Sequence, residues 1–157
     1  MRSDVTNVVL AGLGGQGVLK ASDILASVVF SAGLDVKKSE IHGMSQRGGS
    51  VSSDVRFGAH VYSPMVPTGD AHYLVVLTPS QVEVARPMLR ADGVLIQPSQ
   101  IDESKLANKK SLNVALLGAL ARHLDIDDSL WHAAIQHALP EKLHAANLQA
   151  FALGKNS

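Results

Sequence analysis

Two short stretches hold the residues whose types and spacing allow chemistry. The first is Gly12-Leu13-Gly14-Gly15-Gln16-Gly17, entered directly from the apolar run Val8-Val9-Leu10-Ala11. The second is His42-Gly43-Met44-Ser45-Gln46-Arg47-Gly48-Gly49-Ser50. An apolar run, a glycine-rich turn and then a helical pattern is the order strand, tight turn, helix. Glycine reaches backbone conformations closed to other residues and lets the main chain approach a ligand closely. The amides that open the next helix face whatever lies over the turn, and the helix dipole favours an anion there. In the second stretch, Arg47 offers a planar, permanently charged fork suited to carboxylate or phosphate. His42 carries an imidazole able to transfer a proton near neutral pH. Each feature also has a plainer reading. The glycines allow a tight turn and close helix–sheet contact, His42 is a hydrogen-bonded loop histidine, and Arg47 is half of an ion pair that ties the loop down.

Gly12, Gly14 and Gly17 also satisfy G-x-G-x-x-G, and Glu40 lies near the end of the next strand, where a ribose-binding acid would fall. A stand-alone dinucleotide-binding module is therefore one reading. The nucleoside-triphosphatase loop is excluded, because Gly17 is followed by Val18-Leu19-Lys20 rather than by Lys and then Ser or Thr. His132, His137 and His144 are spaced by five and seven, not by the three or four that bring ligands to one helical face. His42, His60, His72 and His123 have no carboxylate-rich companions in sequence, so no metal site is expected. No G-x-S-x-G elbow occurs. The chain has 157 residues and no cysteine, which excludes disulfides, a thiol nucleophile and thiolate-held iron–sulfur clusters within it.

These loops need elements to hold them. Residues 5–11 read as a central strand buried on both faces. A helix over 16–31 carries Val18, Leu19, Ile24, Leu25 and Val28 near helical spacing. Residues 35–41 form the second strand. Residues 50–57 alternate strictly, Val51, Val55 and Phe57 against Ser52, Asp54 and Arg56, which predicts a half-exposed strand, here read as antiparallel. Val61-Tyr62 reads as a short return strand and 73–77 as another buried strand. Thr78 as cap and Pro79 at the first position open a helix reaching to about Asp92-Gly93. Residues 94–97 form a last short strand and 97–110 a loop. Three helices follow, over 112–124, from Asp127 or Asp128 to 138, and over 141–153 with Gly154 as cap. Gly118 interrupts the first of them, which points to close packing there.

The pattern is α/β: one three-layer, Rossmann-like domain over 1–157, with a mostly parallel sheet and a helical C-terminal third. In a parallel sheet both glycine loops leave at the same edge, where open α/β sheets bind ligands. Zero formal charge and 4% aromatic content argue against nucleic acid. No apolar run approaches the ~20 residues that span a membrane. The opening Met1-Arg2-Ser3-Asp4 does not resemble a signal peptide, so a cytoplasmic location is expected. The apolar surface of 112–124 and 130–139 exceeds what two solvent-facing helices need, which predicts a homo- or hetero-oligomer.

The two glycine motifs, with Tyr62-Ser63-Pro64, Asn113 through Leu117-Gly118-Ala119-Leu120, and Asn147 with Ala150-Phe151 and Gly154, resemble the gamma subunit or gamma domain of the 2-oxoacid:ferredoxin oxidoreductases. That family acts on pyruvate, ketoisovalerate or indolepyruvate, and the likeness is strongest to the small (beta) subunit of the indolepyruvate enzymes. It runs over most of the chain. The glycine hexad alone is weakly specific; the pair of loops in this order and spacing is far more so.

The resemblance implies a subunit that binds no cofactor itself. Thiamine diphosphate with magnesium on a larger partner subunit drives oxidative decarboxylation of the 2-oxoacid, and iron–sulfur clusters on the partner pass electrons to ferredoxin. The acyl group leaves as a coenzyme A thioester, with coenzyme A held at the interface. The sequence agrees by what it lacks: it has no cysteine, and Gly69-Asp70 is followed by Ala71 without the downstream asparagine of a thiamine diphosphate motif. The residues implied to face substrate, coenzyme A or the partner are Gly12, Gly14, Gly15, Gln16 and Gly17 in the first loop. In the second they are His42, Gly43, Met44, Gln46, Arg47, Gly48 and Gly49. No catalytic residue is assigned in this chain. A purely structural subunit, with both loops as interface, is the alternative. Two departures bear on substrate choice: the segment between Gln97 and Leu112 is shorter than the family pattern, and Thr78-Pro79 stands where many relatives carry an acidic residue.

Overall fold

The computed structural model describes residues 5–42 and 49–157. Strand β1 (Thr6–Leu13) lies at the centre of a five-stranded sheet. Its neighbours are β2 (Asp35–His42), β3 (Ser50–Gly58), β4 (Ala71–Val76) and β5 (Leu89–Ile96), in the order β2-β3-β1-β4-β5. β1 pairs in parallel with β4, and β4 with β5. β3 is antiparallel to both of its neighbours, β1 and β2. Four strands therefore point one way and β3 alone points back, so β1 and β2 end, and β3 begins, at one rim of the sheet.

Helices α1 (Val18–Ser31), α3 (Leu112–Ala121), α4 (Asp128–Ala138) and α5 (His144–Lys155) all join the core cluster on one face. Val8 and Leu10 of β1 meet Ile24, Leu25 and Val28 of α1 and Leu116 and Leu120 of α3, all fully buried. Asp127 caps α4, its carboxylate accepting the Ser129 N–H at 2.9 Å. α3 is buried all round, which a helix hydrophobic on every side requires. The apolar surplus of 112–124 is thus absorbed inside the chain, not offered at its surface. Gly118 is where α5 crosses α3: an added Cβ would fall on the Phe151 carbonyl oxygen. Gly154 is the reciprocal contact, against the Ala115 carbonyl oxygen. It lies within α5 and does not cap it, because the helix continues to Lys155.

The other face is thinly covered. It carries the segment 59–70 and a broken helical stretch made of the turn Pro79–Gln81, the short α2 (Val82–Ala85) and the turn Arg86–Met88. The continuous helix expected over 78–93 does not form. Pro87 lacks the N–H that would carry the helical bonding onward, and the chain from Leu89 onward pairs with β4 instead. Thr78 makes no side-chain cap bond. Val61 and Tyr62 form no strand; the Val61 N–H donates to Asp35 Oδ2 at 2.8 Å. Ile41, Met65 and Val84 remain exposed, at 45%, 55% and 63%. Ile41 and Val84 rim an apolar cavity of about 200 Å³ that Val9, Ala11 and Met88 also line.

The polar face of β3 is not open to solvent as its alternation suggested. Asp54 is 2% exposed, because 59–70 folds over it and the Val66 N–H donates to its Oδ2 at 2.9 Å. Burial raises the Asp54 pKa, against the pull of the Val66 N–H and the Arg56 charge. At the rim opposite the glycine loops, His72 accepts the Asn7 N–H at Nδ1 (2.9 Å), while its Nε2 lies 3.0 Å from the Arg90 guanidinium. Burial and then the Arg90 charge lower the His72 pKa, more than Asp70 and Asp92 raise it.

Candidate functional site

The first glycine loop joins β1 to α1 in four residues, 14–17, and Gly12 just before them shapes it too. Gly12 is still in the strand and must be small: an added Cβ would lie 2.8 Å from Gln16 Oε1 and 2.9 Å from Val18 Cγ2. Gly15 and Gly17 have φ of +85° and +86°, left-handed values that side chains disfavour. Gly17 is also the N-cap of α1, which therefore starts at Val18 and not at Gln16. Gln16 does not reach outward. Its side chain folds back, and Oε1 accepts the Leu13 N–H at 2.7 Å, so it fastens the turn from within.

The two loops meet. Leu13 pairs with Ser50 and His42 with Val51 across the rim. The Gly14 N–H donates to the Gly49 carbonyl oxygen at 3.0 Å, joining the end of one loop to the start of the other. Gly14, Gly15 and Gly17 line a recess of about 250 Å³ with Leu13, Val18 and Val51. Val51 lines this recess and the apolar cavity of the second sheet face, so the two are neighbours. Among the described residues, the Gly15 and Gly17 amides take no hydrogen-bond partner, and the first-turn amides of α1 have none within the helix. Among the described residues, the recess thus has main-chain donors and no charged side chain in its lining. His42 closes β2. Gly43, Met44, Gln46, Arg47 and Gly48 lie outside the described residues.

Sequence reasoning missed one residue of this site. Asn113, at the start of α3, is 9% exposed and donates from Nδ2 to the Gly17 carbonyl oxygen at 3.2 Å. It pins the N-cap of α1 from 96 residues away. Only its place in the family-like stretch singled it out. Glu40, the acid proposed for a ribose, is engaged elsewhere. It and Asp23 each bind Lys38 Nζ at 2.5 Å. Burial lowers the Lys38 pKa, but the two carboxylates outweigh it and hold the ammonium above its ordinary value. Among the described residues, no three His, Asp or Glu side chains gather into a metal-binding group, and no helix is long and apolar enough to cross a membrane.

Fold and rim together define a small α/β domain whose glycine-rich turn and β3 meet at one edge of the sheet. The keto/oxoacid ferredoxin oxidoreductase gamma subunit of Geobacter sulfurreducens PCA has the same fold: the TM-score is 0.82, at 21% identity, over 98% of this chain and 96% of that one. The 2-oxoglutarate:ferredoxin oxidoreductase of Magnetococcus marinus, solved with 2-oxoglutarate, coenzyme A and succinyl-CoA bound, contains the fold as 31% of a longer chain. It matches 99% of this chain at 18% identity, with a TM-score of 0.83. In sequence, the indolepyruvate oxidoreductase subunit IorB of Pyrococcus horikoshii is 34% identical over 190 aligned positions, covering 94% of this chain and 93% of that protein. The family model described as pyruvate ferredoxin/flavodoxin oxidoreductase matches residues 7–157, and the chain belongs to that family. An alignment of 190 positions is longer than this 157-residue chain, so the Pyrococcus protein carries segments that this chain lacks.

Proposed function

We propose that the chain supplies one wall of a shared cleft in a thiamine-diphosphate-dependent 2-oxoacid:ferredoxin oxidoreductase. The other wall belongs to a larger subunit that bears thiamine diphosphate, magnesium and the iron–sulfur clusters. The reaction is oxidative decarboxylation of a 2-oxoacid to an acyl-CoA, with electrons passing to ferredoxin, and indolepyruvate is the 2-oxoacid the IorB relatives favour. Thiamine diphosphate supplies the decarboxylation chemistry. This chain holds and orients an anionic group of coenzyme A or substrate through the amides of Gly15, Gly17 and the start of α1, together with Arg47. By itself it is inactive.

The observation that carries this reading is the Gly14–Gly49 hydrogen bond. It joins the two loops at one rim, beside a recess lined by main-chain donors. A group held there is positioned without a base or nucleophile of the chain's own, and misplacing reactants by about 1 Å costs roughly 100-fold in rate. The stand-alone dinucleotide reading loses its ribose partner, because Glu40 is tied to Lys38.

The test is Arg47→Ala in the assembled enzyme. Turnover should fall roughly 10- to 100-fold, with the larger subunit still co-purifying. Unchanged kinetics in an intact complex would remove Arg47 from the site, and loss of assembly would favour a purely structural role for the loops.

A further inference from the structure

A second recess lies across Asn113 from the glycine turn. It opens between the turn Lys109–Ser111 and the turn Glu141–Leu143 and has a volume of about 320 Å³, within the range of small-molecule sites. Its polar lining is Asn108, Lys110, Ser111, Asn113, Lys142 and Asn147, with no acidic residue. Ser111, Asn113 and Asn147 are at least nine-tenths buried, and they are three of the seven buried polar side chains among the described residues. Buried polar groups collect where there is something to bind or a network to satisfy.

The network here is left with donors to spare. Ser111 Oγ donates to the Asn108 carbonyl oxygen, and Asn147 Nδ2 donates to the Leu143 carbonyl oxygen at 2.9 Å. Asn113 uses Oδ1 for the Val114 N–H (2.9 Å) and Nδ2 for Gly17. Asn108 uses only Oδ1, for the Lys110 N–H at 2.9 Å. Its amide nitrogen and the ammonium groups of Lys110 and Lys142 remain unpaired among the described residues, and no carboxylate forms an ion pair with either lysine. Lys110 and Lys142 are both exposed, and both line this recess.

We propose that this recess is a phosphate-binding site. Two ammonium groups balance a phosphate dianion, and Asn108 supplies a neutral donor beside them. The site is separate from the glycine-loop recess and does not depend on the reading given for it. Asn113 joins the two, lining this recess while it holds Gly17.

The test titrates the full chain with inorganic phosphate and with ADP, following the side-chain amide signals of Asn108, Asn113 and Asn147 by NMR. Both probes should give saturable shifts, and Lys110→Gln with Lys142→Gln should weaken them roughly tenfold or more. ADP binding tighter than phosphate would identify a nucleotide-borne phosphate, and equal affinities would identify the free ion; either supports the site. Lys109→Gln, on the neighbouring lysine that does not line the recess, should change nothing. Equal weakening by Lys109→Gln would mean diffuse surface charge and would overturn the proposal, as would the absence of saturable shifts in the unmodified chain. Arg47→Ala should leave this titration unchanged, so the two proposed sites fail independently.

Discussion

Gly118→Ala tests the close backbone contact between α3 and α5. Helix propensity alone predicts a gain, since alanine is favoured over glycine by about 1 kcal/mol within a helix. The structure reverses the sign. The added Cβ would fall on the Phe151 carbonyl oxygen and 2.9 Å from the Lys155 nitrogen, both backbone atoms that no rotamer change can move. Ordinary contact is regained only if α3 and α5 part by about 1 Å, which opens a gap along a packed interface. Overpacking of this kind costs about 1–3 kcal/mol, occasionally more, and a backbone collision belongs at the upper end. After the propensity gain, the net loss is about 2 kcal/mol, or roughly 4–8 °C in Tm for a domain of this size. Melting the full chain by far-ultraviolet circular dichroism measures it. Because α3 also carries Asn113, the Asn113 side-chain amide should shift in the same variant. Gly154→Ala should behave alike, and the double variant should cost less than the sum, since one separation relieves both clashes. A Tm equal to or above that of the parent would mean that these two helices do not touch through their backbones, and the argument from the glycine pair would fail.

Two further outcomes can be checked on the same material. Gly17→Ala should destabilise more than Gly15→Ala. Both force a side chain into left-handed backbone at about 1–2 kcal/mol, but only at position 17 does the Cβ meet Asn113 Nδ2, at 2.5 Å, and break its bond, adding about 1 kcal/mol; urea midpoints that do not separate the two would remove Asn113 from the turn. The second outcome concerns pH. The folded pKa of His72 lies below its unfolded value through burial and the Arg90 charge, so the unfolded chain takes up the proton first. Its contribution to stability is complete above pH ~6.5 and is lost as pH falls through the lower, folded value. Urea midpoints should fall on acidification more steeply in the parent than in His72→Gln, and parallel profiles would refute it.

The glycine turn was legible because its signals are local. An apolar run, two glycines in left-handed geometry and a helical repeat follow one another within a few residues, and β3 announced itself as a strand by alternation. Gly118 was legible for a related reason, since a glycine inside a strong helical pattern asks for a packing partner. Gly154 misled because a glycine near the end of a helix looks the same whether it caps or packs. Asp54 misled because strict alternation reports which residues share a face, not whether a later segment folds over that face. The helix expected over 78–93 rested on a good start signal at Pro79, but Pro87 and the pairing of β5 with β4 outweighed it. Asn113 had no local signal at all: its partner, the Gly17 carbonyl, becomes a neighbour only once the sheet has brought α1 and α3 together.

The one-sided clothing of the sheet has a consequence for the concentrated chain. Ile41 and Val84 stand bare around an oily hollow on the side that lacks long helices. Surfaces of that kind adhere to one another when crowded. Copies of the chain brought to high concentration are therefore prone to clump through this side.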